Sequence, residues 1–544
     1  MKSINLRKKF CLALLGVCIT VTGANAAKRG DERIVYDGDY VKSREEHGAA
    51  WADEDASLQA RLAELEAKYG KRPNIIHIMW DDNSLGQVGV PQMNKVLGFD
   101  TPRINQMARE GISFTRMYTE PSCTPTRTAA LTGRLAVRAG MYNVGFPPHG
   151  MGLHKNEVTI AEVLSDVGYQ TAFVGKAHQG DIKQSYMTNQ GFDYANFSMY
   201  NQFPFIGWQP GGMADGLFKS QWDKNYTIDS GFRPLGFVNQ LEGRKGEAPR
   251  VFTGNSRPEY TKLIRTHQEI VVDYIKTNAD SDKPFYLAYW PHVFDPARAP
   301  DSLTSNANNW VAQSLEDMDR DIGEVLDALR EAGIAENTVV VAMADNGPMH
   351  ELAPLTQEPW FRGGKGDYLE GGIRVPAFAW WPGTIGEDQI VGDIVTVHDL
   401  FTTFISLGQG LKKIPTDRVI DGIDQTALLL NGDGHSRRDY YHVYTGNFLA
   451  ASIKQQFKRV WVGAKRGLIG EEFTNVYTDP REKHLKMPPY LWAWAPFDHM
   501  KERHEALIRK YPHRSPTHGR PYEGIANLSA AAQAVADGVP TTYE

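Results

Sequence analysis

The chain has 544 residues, 41% of them hydrophobic and 23% charged, with a formal charge of −6. That length exceeds one simple core and asks for a large domain with a smaller companion; the composition excludes a disordered or fibrous chain. The negative balance argues against nucleic acid or an anionic membrane surface as partner.

Residues 1–26 read as a signal peptide. Lys2, Arg7, Lys8 and Lys9 make a basic start, positions 10–21 an apolar run, and Ala24-Asn25-Ala26 a small-residue cleavage site. The run is shorter than the roughly 20 apolar residues of a membrane span. An exported protein, periplasmic or secreted, with no transmembrane segment after signal removal is therefore expected. Arg7-Lys8 lacks the second arginine of a twin-arginine signal, and Cys18 follows Leu-Gly-Val, not the small residue that precedes a lipidated cysteine. Removal of the peptide takes Cys11 and Cys18 with it. Cys123 is then the single cysteine of the mature chain, which can form no internal disulfide. A lone thiol retained after export is better explained by chemistry than by packing.

Residues 27–72 form a polar N-terminal segment, in which Leu58, Leu62 and Leu65 predict a surface helix over 56–69. From 73 to 435, the expected catalytic domain, one pattern repeats. A strand over 74–80 (NIIHIMW) ends in Asp81-Asp82-Asn83, and one over 169–175 ends in Lys176 and His178. A third over 285–290 ends in Pro291-His292, and a fourth over 338–344 ends in Asp345-Asn346-Gly347. These runs are nearly all apolar, as strands covered on both faces should be. Helices predicted over 101–110, 159–167 and 315–332 alternate with them, which gives an α/β fold: a large, mostly parallel sheet flanked by helices. Such sheets place their sites at the carboxyl ends of the strands. The aromatic, glycine-rich stretch 194–260, with YNQFPFIGWQPGG at 200–212, reads equally as a packed excursion or as a cleft wall. Residues 436–544 form the smaller subdomain. Short runs at 440–443, 448–453, 458–462 and 474–477 predict a small antiparallel sheet. Helices over 501–510 and 530–536 follow, and the aromatic run 490–497 is a second candidate for the cleft mouth.

The densest chemistry lies in Pro121 to Arg134, PSCTPTRTAALTGR. Pro125 suits the first turn of a helix that continues through Leu131 and ends at Gly133. Cys123 then sits at the helix N-terminus with Arg127 four residues on along the same face. Free N–H groups, the helix dipole and a guanidinium are expected to converge on the sulfur and favour its anion. Asp81, Asp82, Asp345 and Asn346 form an all-oxygen set that suits Ca2+, with Mg2+ possible, better than zinc. An isolated Asp-Asp pair is more often a solvated loop or a helix cap; two such sets at strand ends point to a cation that relieves their repulsion. Lys176 and His178 lie in GKAHQG. Lys365 lies in RGGKGDYLEGGIRVP at 362–376, whose glycines permit close backbone approach to a ligand.

Cys-Thr-Pro-Thr-Arg followed by Leu-Thr-Gly-Arg resembles the signature of the type I, arylsulfatase-like sulfatases. Residues 362–376 resemble the family's second signature block, Pro291-His292 its Pro-His element, and 473–482 its C-terminal sheet segment. GKAHQG departs from the family's usual Gly-Lys-Trp-His-Leu-Gly at Ala177 and Gln179. The resemblance covers about residues 73–482. It implies an alkaline phosphatase-like fold and a hydrolase of sulfate esters, whether of small aryl or alkyl molecules or of glycans. It implies that a formylglycine-generating enzyme converts Cys123 to Cα-formylglycine, a ligand of Ca2+ together with Asp81, Asp82, Asp345 and Asn346. Arg127 would hold the hydrated aldehyde, whose hydroxyl attacks sulfur with help from Asp345. Lys176 and Lys365 would bind the sulfate oxygens, and His292 and Lys365 would protonate the leaving oxygen. His178 would take the proton that lets sulfate depart. Two rivals stay open: a phosphate or phosphonate ester hydrolase of the same superfamily, and an inactive sulfoglycan-binding protein. Against the first, the strand ends carry lysine and histidine where a second metal would need further Asp and His; against the second, no expected ligand is missing.

Overall fold

The computed structural model describes residues 33–200, 240–252, 257–293, 305–349, 360–462, 473–483 and 492–538. The segment expected to be a signal peptide, residues 201–239 of the aromatic stretch including Trp208, and positions 490–491 lie outside the described residues.

The large sheet contains β1 (Asn74–Trp80), β2 (Ile112–Tyr118), β3 (Gln170–Lys176), β4 (Tyr194–Ser198), β5 (Gln240–Arg244), β6 (Arg250–Phe252), β7 (Phe285–Trp290), β8 (Thr338–Ala344), β9 (Arg374–Trp380), β10 (Gln389–Val391) and β11 (Val395–Thr396). Their order is β10-β2-β9-β8-β1-β7-β3-β4-β5-β6, with β11 beside the end of β2. The centre, β8-β1-β7-β3-β4, is parallel. β9 runs antiparallel to both its neighbours, and β5 and β6 close one edge as antiparallel strands. β1, β7 and β8 are buried at every position, which is why they read as unbroken apolar runs. Two groups of helices supply the cover. Pro102–Arg109, Arg257–Asn278 and Trp310–Glu331 pack together in one, and Cys123–Thr132, Ile160–Asp166 and Val397–Leu407 in the other.

Sequence reading missed β9 because Pro376 sits inside it, and proline removes a ladder donor. Its partner accommodates this. The β2–β9 register shifts between Phe114 and Met117, so a bulge lies opposite Pro376. Three helices start well before the predicted position, the C-terminal one at Trp494 and not at 501. The N-terminal one spans Gly38–Tyr69, not 56–69; Asp37 caps its start through Asp39 N–H (3.1 Å), and Gly70 ends it at φ 72°. The helix predicted from 315 begins at Trp310, capped by Asn309. Apolar periodicity starts late in these two, so only the caps mark where they begin.

The small sheet is antiparallel, β12 (Tyr440–Thr445), β13 (Phe448–Lys454), β14 (Phe457–Val460) and β15 (Phe473–Asn475). The helix Trp494–Lys510 follows it. Trp494 stacks on Phe473 with ring centroids 6.0 Å apart, Phe497 meets Phe473 edge-on at 5.4 Å, and Trp492 meets Phe457 at 5.6 Å. The described part of 490–497, read from sequence as a cleft mouth, packs on the small sheet instead. Among the described residues no helix is long and apolar enough to cross a membrane.

Candidate active site

Parallel pairing brings the carboxyl ends of β1, β3, β7 and β8 to one edge of the sheet. Trp80 pairs with Ala344 and Gly175 with Trp290, so the residues that follow are set side by side. Backbone bonds lock the two acidic turns together: Asp345 N–H donates to Trp80 O (2.8 Å), Asp82 N–H to Asp345 Oδ1 (3.1 Å) and Asn83 N–H to Asn346 O (3.0 Å). The glycine-rich 362–376 segment interlocks with them. Gly347 N–H donates to Gly372 O (2.9 Å), Lys365 N–H to Pro348 O (2.9 Å) and Gly366 N–H to Pro121 O (2.7 Å). A Cβ on Gly347 would stand 1.8 Å from the Gly371 carbonyl, so only glycine fits that crossing. The helix Cys123–Thr132 starts at this edge, buried along its whole length, with Gly133 in the left-handed region at φ 66°.

Its side chains knit the charges into one cluster. Arg127 Nη2 donates to Asp81 Oδ1 (2.9 Å) and Asp345 Oδ2 (2.8 Å), Nε to Asp345 Oδ2 (3.1 Å), and Nη1 to the Lys176 carbonyl (2.8 Å). Lys176 Nζ meets Asp81 Oδ1 at 2.5 Å, and Lys365 Nζ meets both Asp82 oxygens at 2.8 and 3.0 Å. Asn346 Nδ2 donates to Asp82 Oδ1 (2.7 Å), and Cys123 Sγ lies 3.9 Å from that oxygen. Burial alone would raise Asp81, but Lys176 and Arg127 overcome it and hold the carboxyl well below its usual range. At Asp345 burial wins over Arg127 and the pKa rises. Burial also weighs against the Lys365 cation, yet Asp82 lifts its pKa well above that of a free lysine.

The sulfur environment differs from expectation. Arg127 commits its donors to two carboxylates and a carbonyl, not to Cys123. Burial first, and then Asp345, push the thiol up to about 11. The free thiol is therefore protonated at neutral pH, because burial and the nearby carboxylates outweigh Lys176 and Lys365. The hard-cation reading fits the donor set. Asp81, Asp82 and Asp345 are buried carboxylates, and Asn346 Oδ1 is a buried acceptor with no hydrogen-bond partner. Asp81, Cys123 and Asp345 each offer a ligand atom within 4.8 Å of the others.

Both histidines are buried and neutral. His178 Nε2 lies 3.0 Å from the Gly145 carbonyl, which can only accept; Nε2 thus carries the proton, and Nδ1, which has no partner, keeps its lone pair. Burial, then Lys176, lower its pKa well below the usual value. Burial does the same to His292, against the pull of Asp81. His292 Nε2 lies 2.7 Å from Ser198 Oγ, and its Nδ1 has no partner. Asp82 and His178 both take left-handed backbone, at φ 53° and 54°, a local strain typical of sites. Gln179 braces the His178 turn. Its Nε2 donates to the carbonyls of His178 (3.1 Å) and Ala177 (3.3 Å), and its Oε1 accepts from Thr128 Oγ1 (2.9 Å) on the cysteine helix. Ser198, Gly145, Thr128 and the bracing by Gln179 escaped the sequence reading. Only Gln179 gave a signal, as a departure from the GKWHLG pattern.

The profile of the sulfatase family matches residues 73–411. The chain belongs to the sulfatase family. This sulfatase is 31% identical over 458 residues to mouse (Mus musculus) N-acetylgalactosamine-6-sulfatase, covering 78% of this chain and 81% of the relative. It is 31% identical over 445 residues to rat (Rattus norvegicus) steryl-sulfatase, covering 71% and 75%. A crystal structure of a Pseudoalteromonas sp. sulfatase superposes with a TM-score of 0.76 at 28% identity, over 86% of this chain and 96% of that one. A phosphonate monoester hydrolase from Silicibacter pomeroyi shares the fold, with a TM-score of 0.54 at 15% identity over 83% and 100%. The sulfatase is thus a sulfuric ester hydrolase with the alkaline phosphatase-like fold.

Proposed function

We propose that the sulfatase hydrolyses sulfate esters of sugars, with aryl sulfates as surrogates, after export and after conversion of Cys123 to formylglycine. The observation that carries the catalytic reading is the single buried cluster in which Arg127, Lys176 and Lys365 meet Asp81, Asp82 and Asp345 beside Cys123. A protonated, buried thiol is a poor nucleophile, which supports a modified side chain in that role. Formylglycine would supply the attacking oxygen. Calcium, held by Asp81, Asp82, Asp345 and Asn346, would supply positive charge to the reacting oxygens. Arg127 fixes the carboxylates that flank residue 123. Lys176 and Lys365 bind the sulfate oxygens, and Lys365 and His292 donate toward the leaving oxygen. His178 receives a proton at Nδ1, the nitrogen its bond to Gly145 leaves free. The sugar preference is supported by the names of relatives, among them N-acetylgalactosamine-6-sulfatase.

The test is a side-by-side panel of sulfated monosaccharides, an aryl sulfate and the matching aryl phosphate. The enzyme is co-produced with a formylglycine-generating enzyme and carries the aldehyde by peptide mass spectrometry. The expected kcat/KM for the aryl sulfate is at least about 100-fold above that for the phosphate, roughly 2.7 kcal/mol in transition-state binding. Three carboxylates offset most of the charge of one divalent ion and three cations, and the small positive remainder suits a singly charged sulfate ester without the second metal ion that a doubly charged phosphate calls for. Chelation should abolish activity and Ca2+ or Mg2+ restore it. Equal efficiency on the phosphate, or full activity with only the thiol at 123, would overturn the reading.

A further inference from the structure

A second buried group of ligand-type residues lies apart from the active-site cluster. Asp37, His442 and His504 each offer one ligand atom, and these atoms lie within 4.8 Å of one another. They come from three separate parts of the chain. Asp37 caps the helix Gly38–Tyr69, His442 lies on β12, and His504 lies on the helix Trp494–Lys510, which packs against that first helix. All three side chains are buried, His504 completely.

The arrangement has the outer bonds of a metal centre. His504 Nδ1 lies 2.8 Å from Asp37 Oδ2, and its other nitrogen, Nε2, lies 2.8 Å from Tyr444 Oη. His442 Nδ1 lies 2.9 Å from Ser452 Oγ, which also accepts from Trp461 Nε1 at 2.9 Å. Each imidazole thus has one nitrogen anchored by a hydroxyl, the pattern that orients a ligating histidine. The independent sign is His442 Nε2, a buried ring nitrogen with no hydrogen-bond partner. A polar atom left so costs free energy, and a cation would relieve that cost. The two ring centroids are 4.0 Å apart with the planes tilted by 32°, so an ion held by both draws the rings out of this stacked arrangement. Arg138 Nη2 lies 3.9 Å from Asp37 Oδ2, but Asp421 grips the same guanidinium at 2.9 and 3.0 Å and offsets its charge.

We propose that Asp37, His442 and His504 form a structural site for a transition-metal dication, zinc by ligand chemistry. Two imidazoles and one carboxylate suit zinc, at about 2.0–2.1 Å per bond, whereas calcium wants more ligands and oxygen alone. The site pins the N-terminal helix to the small sheet and to the C-terminal helix. Its chemistry is separate from the all-oxygen set beside Cys123.

The test uses the full chain without a histidine tag, stripped of metal and titrated with Co2+. A four-coordinate site of two imidazoles, one carboxylate and a water gives more intense visible absorption than six oxygen ligands do. The expected result is one equivalent of cobalt with that spectrum, displaced by one equivalent of zinc, and a melting temperature a few degrees higher with zinc bound. Asp82→Ala, in the other cluster, keeps the signal. His442→Ala leaves the Asp37–His504 pair in place, so it folds, and it weakens zinc binding at least about 100-fold. No such spectrum with the wild-type chain, or undiminished zinc affinity in His442→Ala, overturns the proposal.

Discussion

Gln179 stands where the family's pattern carries leucine, and its amide takes the carbonyls of two neighbours in a turn strained at His178. Gln179→Leu leaves those carbonyls buried and unpaired, at a cost of about 1–3 kcal/mol. The expected outcome is a lower denaturation midpoint together with a fall in kcat, because His178 loses the brace that sets its ring. Unchanged stability would show that the turn holds itself. Asp181, two residues on, is fully buried, and burial pushes its carboxyl up to about 8. The unfolded chain releases that proton near pH 4. Between about pH 4 and 8 the folded state therefore holds a proton that the unfolded state has lost, and Asp181's contribution to stability falls as pH rises through that window. Asp181→Asn copies the protonated form. Melting curves from pH 5 to 8.5 should show the variant gaining on wild type as pH rises; parallel curves would refute the assignment.

Among the elements, the crossing at Gly347 controls the site most directly. Gly347→Ala forces the Asp345-Asn346 turn away from the 362–376 segment, because the new methyl meets the Gly371 carbonyl at 1.8 Å. A destabilisation of at least about 1–3 kcal/mol is expected, with activity lost beyond what the melting shift explains; retained kcat would show that the turn is free to move. The strands that hold the chemistry were legible because both of their faces are buried, which makes them continuous apolar runs. β2 was not, since the half-buried Ser113 and Thr115 break its apolar run, nor was β9, which Pro376 interrupts, and the bulge that compensates is invisible in a single strand's sequence. The long first helix was hidden for a related reason: only Asp39, Tyr40, Leu58 and Leu62 are buried along its 32 residues.

Across the whole molecule, the candidate site was readable in its members but not in its wiring. Asp81, Asp82, Lys176, Asp345 and Lys365 could be picked from strand ends and motifs. That Arg127 would bridge two carboxylates and leave the sulfur alone depends on a register between β1 and β8 that residue spacing does not encode. Nor did the N-terminal segment show any chemistry, because the two histidines that meet Asp37 come from positions more than 400 residues away. The helix that carries Cys123 is buried from end to end, and this has a bearing on the order of events in the life of the chain. A modifying enzyme has to reach the Cys123 side chain, and the folded protein buries it. The proposed conversion to formylglycine thus races against folding and has to finish first. Slowing the collapse of the newly made chain, by lower temperature for example, should raise the aldehyde fraction at 123 measured by mass spectrometry. Thiol-bearing protein that has already folded should resist conversion by the purified enzyme, while the same protein unfolded in denaturant and diluted into it should accept the modification. Equal conversion of both would mean that this helix opens far more readily than its packing implies.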